Sequence, residues 1–564
     1  MTEKIAKILK SVIKEDVDMG VSASERFGFG HYSSNVAFKL AKIVGKSPLD
    51  VAKDLAVKLS SNDELEKVEA AAPGFVNFWL KPEDFQKELA VILKQKDKYG
   101  KNNNLKGQKI MVDYTDPNPF KEFHIGHLMS NAIGESLCRI FEWNGAKVVR
   151  VCYQGDVGLH VAKTIWGILQ DINNFPKDNA KLSEKIAFLG KSYVLGSQKY
   201  EDNKNAAEEI KEINKKVFDK SDKQIDLLYK KGKKWSLEHF DEVYKKLGTE
   251  FDHFILESSV ISDAEKIVKE FLKKGVFEES EGAIIFPGEK HGLHTRVFIN
   301  SQGLPTYETK DLGLAQKKMS LEKGMTSSLI VTANEQNDYF RVVFKALEFI
   351  FPEYAKISKH IGHGMLRFAS GKMSSRAGNV ITAESLIGEV EKLVEAKIAE
   401  QKLSEKEKKE IKDVVSVGAI KYSILRQAIG GDIIFDFEKS ISFEGDSGPY
   451  LQYAYTRAKS VLGKAKGEKV KPSLKLMPSE VSEVEVMLSR FSEVVERSGK
   501  ERMPHYIATY LIELARVFNA YYAKFKIVDA KDEYSPYKVA LTSAFMQVMK
   551  NGLEILGIKV PEKM

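Results

Sequence analysis

The stretch Met111–Glu135, MVDYTDPNPFKEFHIGHLMSNAIGE, decides the fold. Its lead-in, Ile110–Tyr114, is apolar and β-prone and reads as a buried strand, which Pro117 and Pro119 end because proline cannot donate to a ladder. Beyond the prolines come His124, Gly126 and His127. Then follow Leu128, Ala132, Ile133, Leu137 and Ile140, apolar positions that mostly recur three to four residues apart. The reading is a strand, a proline-shaped loop and a helix, with two histidines at the helix entrance. Free backbone N–H groups and the helix dipole favour an anionic phosphate there, and Gly126 permits close approach. Two imidazoles three residues apart, protonated or hydrogen-bonding, can flank one phosphoryl group and stabilise its charge. A helix cap and a half-buried surface histidine describe the same residues as well.

Working outward, 564 residues are too many for one ordinary domain, and three or four units are expected. A content of 43% hydrophobic and 29% charged residues gives a soluble globular balance with enough apolar material for several cores. Lys and Arg total 87 against 79 acidic residues, so the net charge of +8 permits an RNA or phosphate partner without requiring one. Cys138 and Cys152 are the only cysteines, which excludes a disulfide framework and a cysteine-dense zinc site and makes cytosolic residence the simpler reading. The start, MTEKIAKILKSVIKED, lacks the apolar centre of a secretory signal. No apolar run approaches the roughly 18 residues of a membrane span.

Residues 1–105 read as a separate α/β module. Ile5, Ile8, Leu9 and Ile13 make a helical stripe, Asn35–Val44 and Pro48–Leu59 two more helices, and Ala71–Leu80 is strand-like beyond its proline and glycine, with Lys94–Gly107 as a surface linker. The unit 106–400 adds a second parallel strand within Ala146–Asp156, and Gly155 and Asp156 stand at its carboxyl end, where open α/β sheets collect ligands. A tight turn explains that pair equally well. Between about 163 and 286 the chain is largely helical and rich in Lys and Glu, an insertion in which Lys199–Lys223 is a solvated stretch. Ala283–Phe286 and Arg296–Ile299 then return to short β-prone pieces.

Two further stretches carry chemistry. In Leu304–Leu314, LPTYETKDLGL, Tyr307 and Asp311 share one face if the segment is helical, which suits a small cationic ligand; a core aromatic and a capping aspartate are the bland alternative. Gln336 follows the strand Ser328–Ala333 and can read a polar group at its end. Gly371–Val380, GKMSSRAGNV, sets Lys372, Ser374, Ser375 and Arg376 between glycines, a composition for gripping a triphosphate or simply a basic turn. A helical connector, 401–440, leads to a helical bundle, 441–564. In that bundle Tyr450, Tyr453, Tyr455, Arg457 and Lys459 offer rings and cations to unstacked bases, although packing is the commoner role of tyrosines at helical spacing.

Taken together, these residues resemble the arginyl-tRNA synthetases, class I aminoacyl-tRNA synthetases, over essentially the whole chain. His124-Ile125-Gly126-His127 match the family's HIGH signature behind the arginyl-type VDYTDPNPFKEF, and Lys372-Met373-Ser374-Ser375 match its KMSKS loop up to the altered last residue. HYSSNVAFKLAK resembles the family's first domain, and Ser440–Ser460 with the terminal GLEILGIKVPEKM resembles its helical anticodon-binding domain.

The resemblance implies a Rossmann-like parallel-sheet catalytic domain with a helical insertion, an N-terminal α/β tRNA-binding accessory domain and a C-terminal all-α anticodon-binding domain. It implies that arginine attacks Mg-ATP to form arginyl-adenylate, from which tRNA(Arg) takes the aminoacyl group, with no permanently bound metal. His124, His127 and Lys372 would stabilise phosphate charge. Asp113, Asn118, Tyr307, Asp311 and Gln336 would hold arginine. Gly126, Gly155, Asp156, His363, Gly364, Met373, Ser374 and Ser375 would join them around ATP, and Tyr450, Tyr453 and Arg457 would meet tRNA. Relatives generally need tRNA before they activate arginine, and a cytoplasmic monomer is expected. Three positions depart from the pattern: Val157 replaces a common tryptophan, Ser375 the second loop lysine, and Lys310 a common arginine. A class I synthetase for lysine or another amino acid, and a silent tRNA-binding regulatory protein, are the competing readings.

Overall fold

A computed structural model describes residues 1–24, 26–369 and 382–564 of the chain. The opening stretch forms strand β1 (Lys109–Tyr114) and helix α1 (Ile125–Trp143). Behind them come β2 (Lys147–Gln154), α2 (Leu182–Asp202), α3 (Lys223–Leu247) and β3 (His253–Leu256). After these follow α4 (Tyr307–Leu321), β4 (Ser327–Ala333) and β5 (Ser358–His363). The five strands make one sheet in the order β5-β4-β1-β2-β3, with every pair parallel. Ile110, Met111, Val112 and Tyr114 are all buried, as a central strand covered on both faces requires. From β1 the chain first builds outward through β2 and β3, then returns to lay β4 on β1's other side. That reversal leaves a crevice at the carboxyl ends of β1 and β4, the place where such sheets bind ligands.

The segment 163–286 is largely helical and has its own core, in which Ile165, Leu189, Ile210 and Trp235 meet. It also contains β3, which the sequence does not advertise. Of its four residues only Ile255 is buried and Phe254 is exposed, so this edge strand has no alternation to read. The Lys199–Lys223 stretch is less solvated than its composition suggests, because helix Lys204–Asp219 buries Ile210, Ile213 and Val217 along one stripe. Ala283–Phe286 and Arg296–Ile299 pair with each other in a separate antiparallel sheet and stay out of the central one.

The N-terminal part is a four-stranded antiparallel sheet packed on helices around Leu9, Leu40, Leu55 and Phe78. The Lys94–Gly107 stretch behind it is no free linker. Tyr99 is buried within it, donates its hydroxyl to Glu88 Oε1 at 2.6 Å and stacks on Phe491, so one aromatic in a lysine-rich run pins the segment to the C-terminal helices. Those helices, among them α5 (Gly448–Gly467), share one continuous apolar core with the central sheet. Lys421, fully buried, donates to the Leu247 carbonyl at 2.6 Å and the Gly557 carbonyl at 2.8 Å, so the end of α3 and the chain's tail meet at one ammonium group. Among the described residues, no helix is long and apolar enough to cross a membrane.

Candidate active site

The crevice is a cleft of about 620 Å³. Its floor is the loop from β1 to α1, and that loop is strained: Thr115, Asp116 and Phe120 hold φ values of 82°, 46° and 69°. Left-handed backbone at non-glycine residues costs roughly 1–3 kcal/mol each and persists only where the surroundings over-determine it. Here they do. The Thr115 N–H donates to Ser130 Oγ at 2.9 Å, Ser130 Oγ donates to the Val331 carbonyl at 2.6 Å, and Asn131 Nδ2 donates to Thr115 Oγ1 at 3.0 Å. The loop is thereby tied to α1 and β4 together.

At the helix entrance His124 caps α1. Its Nδ1 accepts the Gly126 N–H at 3.1 Å, and His127 Nδ1 accepts the His124 N–H at 3.2 Å. The two rings stack with centroids 3.6 Å apart. A side chain at Gly126 would begin 2.9 Å from the His124 ring, so glycine is what lets the ring fold over the cap. Burial holds His124 down at about 4, with the Lys121 charge adding to it, and burial with the His124 and Lys121 charges pushes His127 well below the usual imidazole range. Both rings are neutral near pH 7. Because each Nδ1 accepts, each proton sits on Nε2, and the pair offers two N–H donors beside a helix N-terminus. His363, buried at the end of β5, lines the same cleft, and Gly364 lines an adjoining cavity of about 870 Å³ between α1 and α2.

The opposite end of the cleft is acidic. Tyr307 and Asp311 stand one turn apart on α4 and both line it, as do Asp113, Asn118 and Gln336. Asp311 Oδ2 accepts the Tyr339 hydroxyl at 2.6 Å. Burial, with Glu257 and Asp113 nearby, pushes Asp311 up to about 7 against the opposing pull of Tyr339 and Lys318. Asp113 is buried in an ion pair with Lys318, which lies seven residues beyond Asp311 on α4. Lys310 pairs with Glu257 at 2.5 Å and lies 4.3 Å from the centre of the Tyr307 ring. One end of the cleft therefore presents neutral donors suited to phosphate, and the other presents carboxylates and an amide suited to a donor-rich cation.

Gly155 is a close-packed support of that arrangement. A Cβ there would sit 2.2 Å from Asn118 Oδ1 and 3.2 Å from Glu257 Oε1. Gly155→Ala is expected to displace the Asn118 amide and lower kcat/KM for the ligand held at the acidic end by about a hundredfold, the usual effect of a 1 Å misplacement. Steady-state kinetics at varied concentration of that ligand check it, and an unchanged value would remove Asn118 from the site.

Asp156 is not brought into the cleft. It is fully buried and accepts from the Ser258 backbone N–H at 2.8 Å, the Tyr229 hydroxyl at 2.7 Å and Lys233 at 3.3 Å, so it clamps α3 to the turn after β3. Val157 packs in the insertion's core with Phe120 and Val161. Lys372, Met373, Ser374 and Ser375 lie outside the described residues. Where the described chain resumes, Thr382 bridges to His124 and the Ala383 N–H donates to the Phe123 carbonyl at 2.7 Å. On α5, far from the cleft in sequence, Arg457 donates to Asn519 Oδ1 at 2.6 Å and lies 4.7 Å from the Tyr453 ring centre, while Tyr450 Oη accepts from Asn519 Nδ2 at 2.8 Å. Tyr455 is buried and Lys459 pairs with Glu562. Sequence reasoning missed Tyr339, Asp116, Tyr153 and Lys318; of these only Lys318 carried a signal, its two-turn spacing from Asp311.

Known proteins resemble this arrangement throughout. The family model described as tRNA synthetases class I (R), catalytic domain, matches residues 88–437. The DALR anticodon binding domain matches 451–564, and the arginyl tRNA synthetase N terminal domain matches 1–80. A protein of Clostridium perfringens named arginine--tRNA ligase is 31% identical over 99% of both chains, and one of the same name from Clostridium acetobutylicum is 32% identical over 99% of both. The solved arginyl-tRNA synthetase of Thermus thermophilus superposes with a TM-score of 0.79 at 24% identity, covering 100% of this chain and 99% of that one, a likeness of fold.

Proposed function

The chain belongs to the class I arginyl-tRNA synthetases, and we propose from that premise that its cleft holds arginine at the Asp311 end and the ATP phosphates at the His124–His127 end. The enzyme joins L-arginine to tRNA(Arg) using ATP. In this reading the arginine carboxylate attacks the α-phosphate of Mg-ATP, giving arginyl-adenylate and pyrophosphate. A terminal hydroxyl of tRNA then attacks the activated carbonyl and releases AMP. Mg²⁺ enters as part of the ATP substrate. The Nε2–H groups of His124 and His127 hydrogen-bond the phosphate as its charge grows, Lys372 neutralises the leaving pyrophosphate, and neither histidine acts as nucleophile. Gly126, His363, Gly364 and the 373–375 loop residues complete the ATP side.

Asp311 supplies the charge for the guanidinium group, with Tyr307, Gln336, Asp113 and Asn118 completing a fork-shaped set of partners that lysine's compact ammonium would leave half filled. Residues 1–105 act as a tRNA-positioning accessory, and 441–564, with the half-buried Tyr450, Tyr453 and Arg457, engages the anticodon by stacking and hydrogen bonding. The enzyme works as a cytoplasmic monomer. The observation that carries the reading is the polarity of one cleft: neutral N–H donors at a helix entrance face a carboxylate whose charge is held in reserve until a cation arrives. Purified protein given ATP, mixed tRNA and single amino acids is expected to charge arginine; charging of lysine with none of arginine would overturn the assignment.

A further inference from the structure

Two buried side-chain polar atoms that line the cleft lack any partner among the described residues: Asp113 Oδ1 and Tyr153 Oη. Tyr153 lies near the end of β2, its backbone N–H donating to Asp116 Oδ1 at 2.8 Å, so the strand end is fixed while the hydroxyl is left unmatched. A buried phenol without a partner destabilises a fold and is retained where a ligand completes it. Its surroundings say which ligand. Tyr153 lines the cleft together with Glu257, Asp311 and Asp113, and burial, with the charges of these acids and of Asp156 adding to it, raises the hydroxyl well above the ordinary phenol value. It is therefore a neutral hydroxyl among acids, a place that repels a carboxylate and welcomes a group made only of donors.

The carboxylates are mostly engaged already. Asp156 is saturated, Glu257 holds Lys310, Asp113 holds Lys318 through its other oxygen, and Asp311 has one oxygen occupied by Tyr339. A planar guanidinium brings five N–H groups and no acceptor, so a neutral acceptor set among these carboxylates gives it a further partner.

We propose that Tyr153 is a specificity residue for arginine, its hydroxyl accepting an N–H of the guanidinium group alongside Asp113 Oδ1 and Asp311. The proposal rests on the reading of the cleft as the arginine site and adds to it a neutral acceptor on β2 that the family resemblance did not supply.

Tyr153→Phe keeps the ring and removes only the oxygen. Three quantities are measured on the full chain: KM for arginine in tRNA charging, inhibition by agmatine, and the melting temperature without substrates. Agmatine carries the guanidinium group and lacks the carboxylate. A lost hydrogen bond to a charged group predicts a rise in KM of about tenfold to a hundredfold, with agmatine inhibition weakened by a similar factor. The substrate-free melting temperature is expected to stay level or rise, because an unmatched buried oxygen has gone. An unchanged KM overturns the proposal, as does a raised KM with agmatine unaffected, which would put the hydroxyl at the carboxylate end. A fall in substrate-free stability that parallels the kinetic loss overturns it too, since the tyrosine would then be a packing residue. Asp311→Ala, assayed beside it, keeps the two ideas apart: if that variant loses arginine charging and Tyr153→Phe does not, the cleft reading stands and only this proposal falls.

Discussion

Asp311→Ala is expected to lower kcat/KM for arginine by roughly thirty-fold to several thousand-fold, corresponding to about 2–5 kcal/mol for removing one partner of a desolvated charge pair. Affinity for tRNA should stay within about twofold, because the residues assigned to the anticodon stand on α5 and none of them lines the cleft that holds Asp311. The mechanism of the loss is specific. Asp113 and Glu257, the carboxylates beside Asp311, each already hold a lysine, Lys318 and Lys310, so their charges are largely balanced and do not replace the one that is lost. Arginine charging and a filter-binding or gel-shift titration with tRNA(Arg) check both halves. Unchanged arginine charging would remove Asp311 from the pocket.

The same residue sets a pH dependence. Burial raises Asp311 from 3.8 to about 7 in the substrate-free protein, so near neutrality it is only partly ionised. A guanidinium group binds the ionised form, and KM for arginine should therefore fall as pH rises through 7 and level off above it. Stability runs the other way. A carboxyl whose folded value is raised contributes stability that is fully present below 3.8 and lost as pH rises through 7. Asp311→Asn should thus abolish the pH limb in KM and raise the substrate-free melting temperature at pH 8 relative to the parent, with the difference shrinking at pH 5.

What the sequence made legible follows from how local each signal was. The β1–α1 passage could be read because its parts are contiguous: an apolar strand, two prolines and a helical stripe, each dictated by neighbours within a few residues. Tyr307 and Asp311 were ambiguous by spacing alone and became readable only through family resemblance. Asp156 stood at the right strand end yet its carboxylate is turned to Tyr229, Lys233 and Ser258, partners 73 to 102 residues away that no local pattern announces. Tyr153 and Tyr339 were invisible for the same reason, since a lone tyrosine gains its role from which carboxylates the sheet brings beside it. β3 was missed on different grounds: a four-residue edge strand with one buried side chain has too little pattern to stand out from the helices around it. The histidines form an intermediate case. Their place at a helix entrance was legible, but protonated and neutral forms were both open until stacking at 3.6 Å and acceptance of backbone N–H groups by both Nδ1 atoms decided for neutral.

That neutrality leads to the second large effect. His127→Ala is expected to lower kcat for adenylate formation about 10²- to 10³-fold, the usual result of removing one preorganised donor from a site of developing negative charge, with KM for arginine changed by no more than about threefold. His124 needs a different substitution because it also caps α1, and losing a cap costs about 0.5–2 kcal/mol. Asparagine supplies a replacement cap oxygen for the Gly126 N–H while removing the imidazole donor, so His124→Asn separates chemistry from folding: the melting temperature should hold while kcat falls on the same scale. Because burial holds His124 at about 4 and pushes His127 well below the usual imidazole range, neither should produce a limb in the pH profile of kcat/KM between 6 and 8. In both variants the limb near 7 should survive, since it belongs to Asp311. Arginine-dependent exchange of pyrophosphate into ATP, followed across pH in the presence of tRNA, reads all of this at once. A loss that appeared in KM for arginine with kcat intact, or the disappearance of the limb near 7 on removing either imidazole, would mean that the histidines bind the amino acid or act as proton carriers, and the division of the cleft into a phosphate end and a guanidinium end would have to be abandoned.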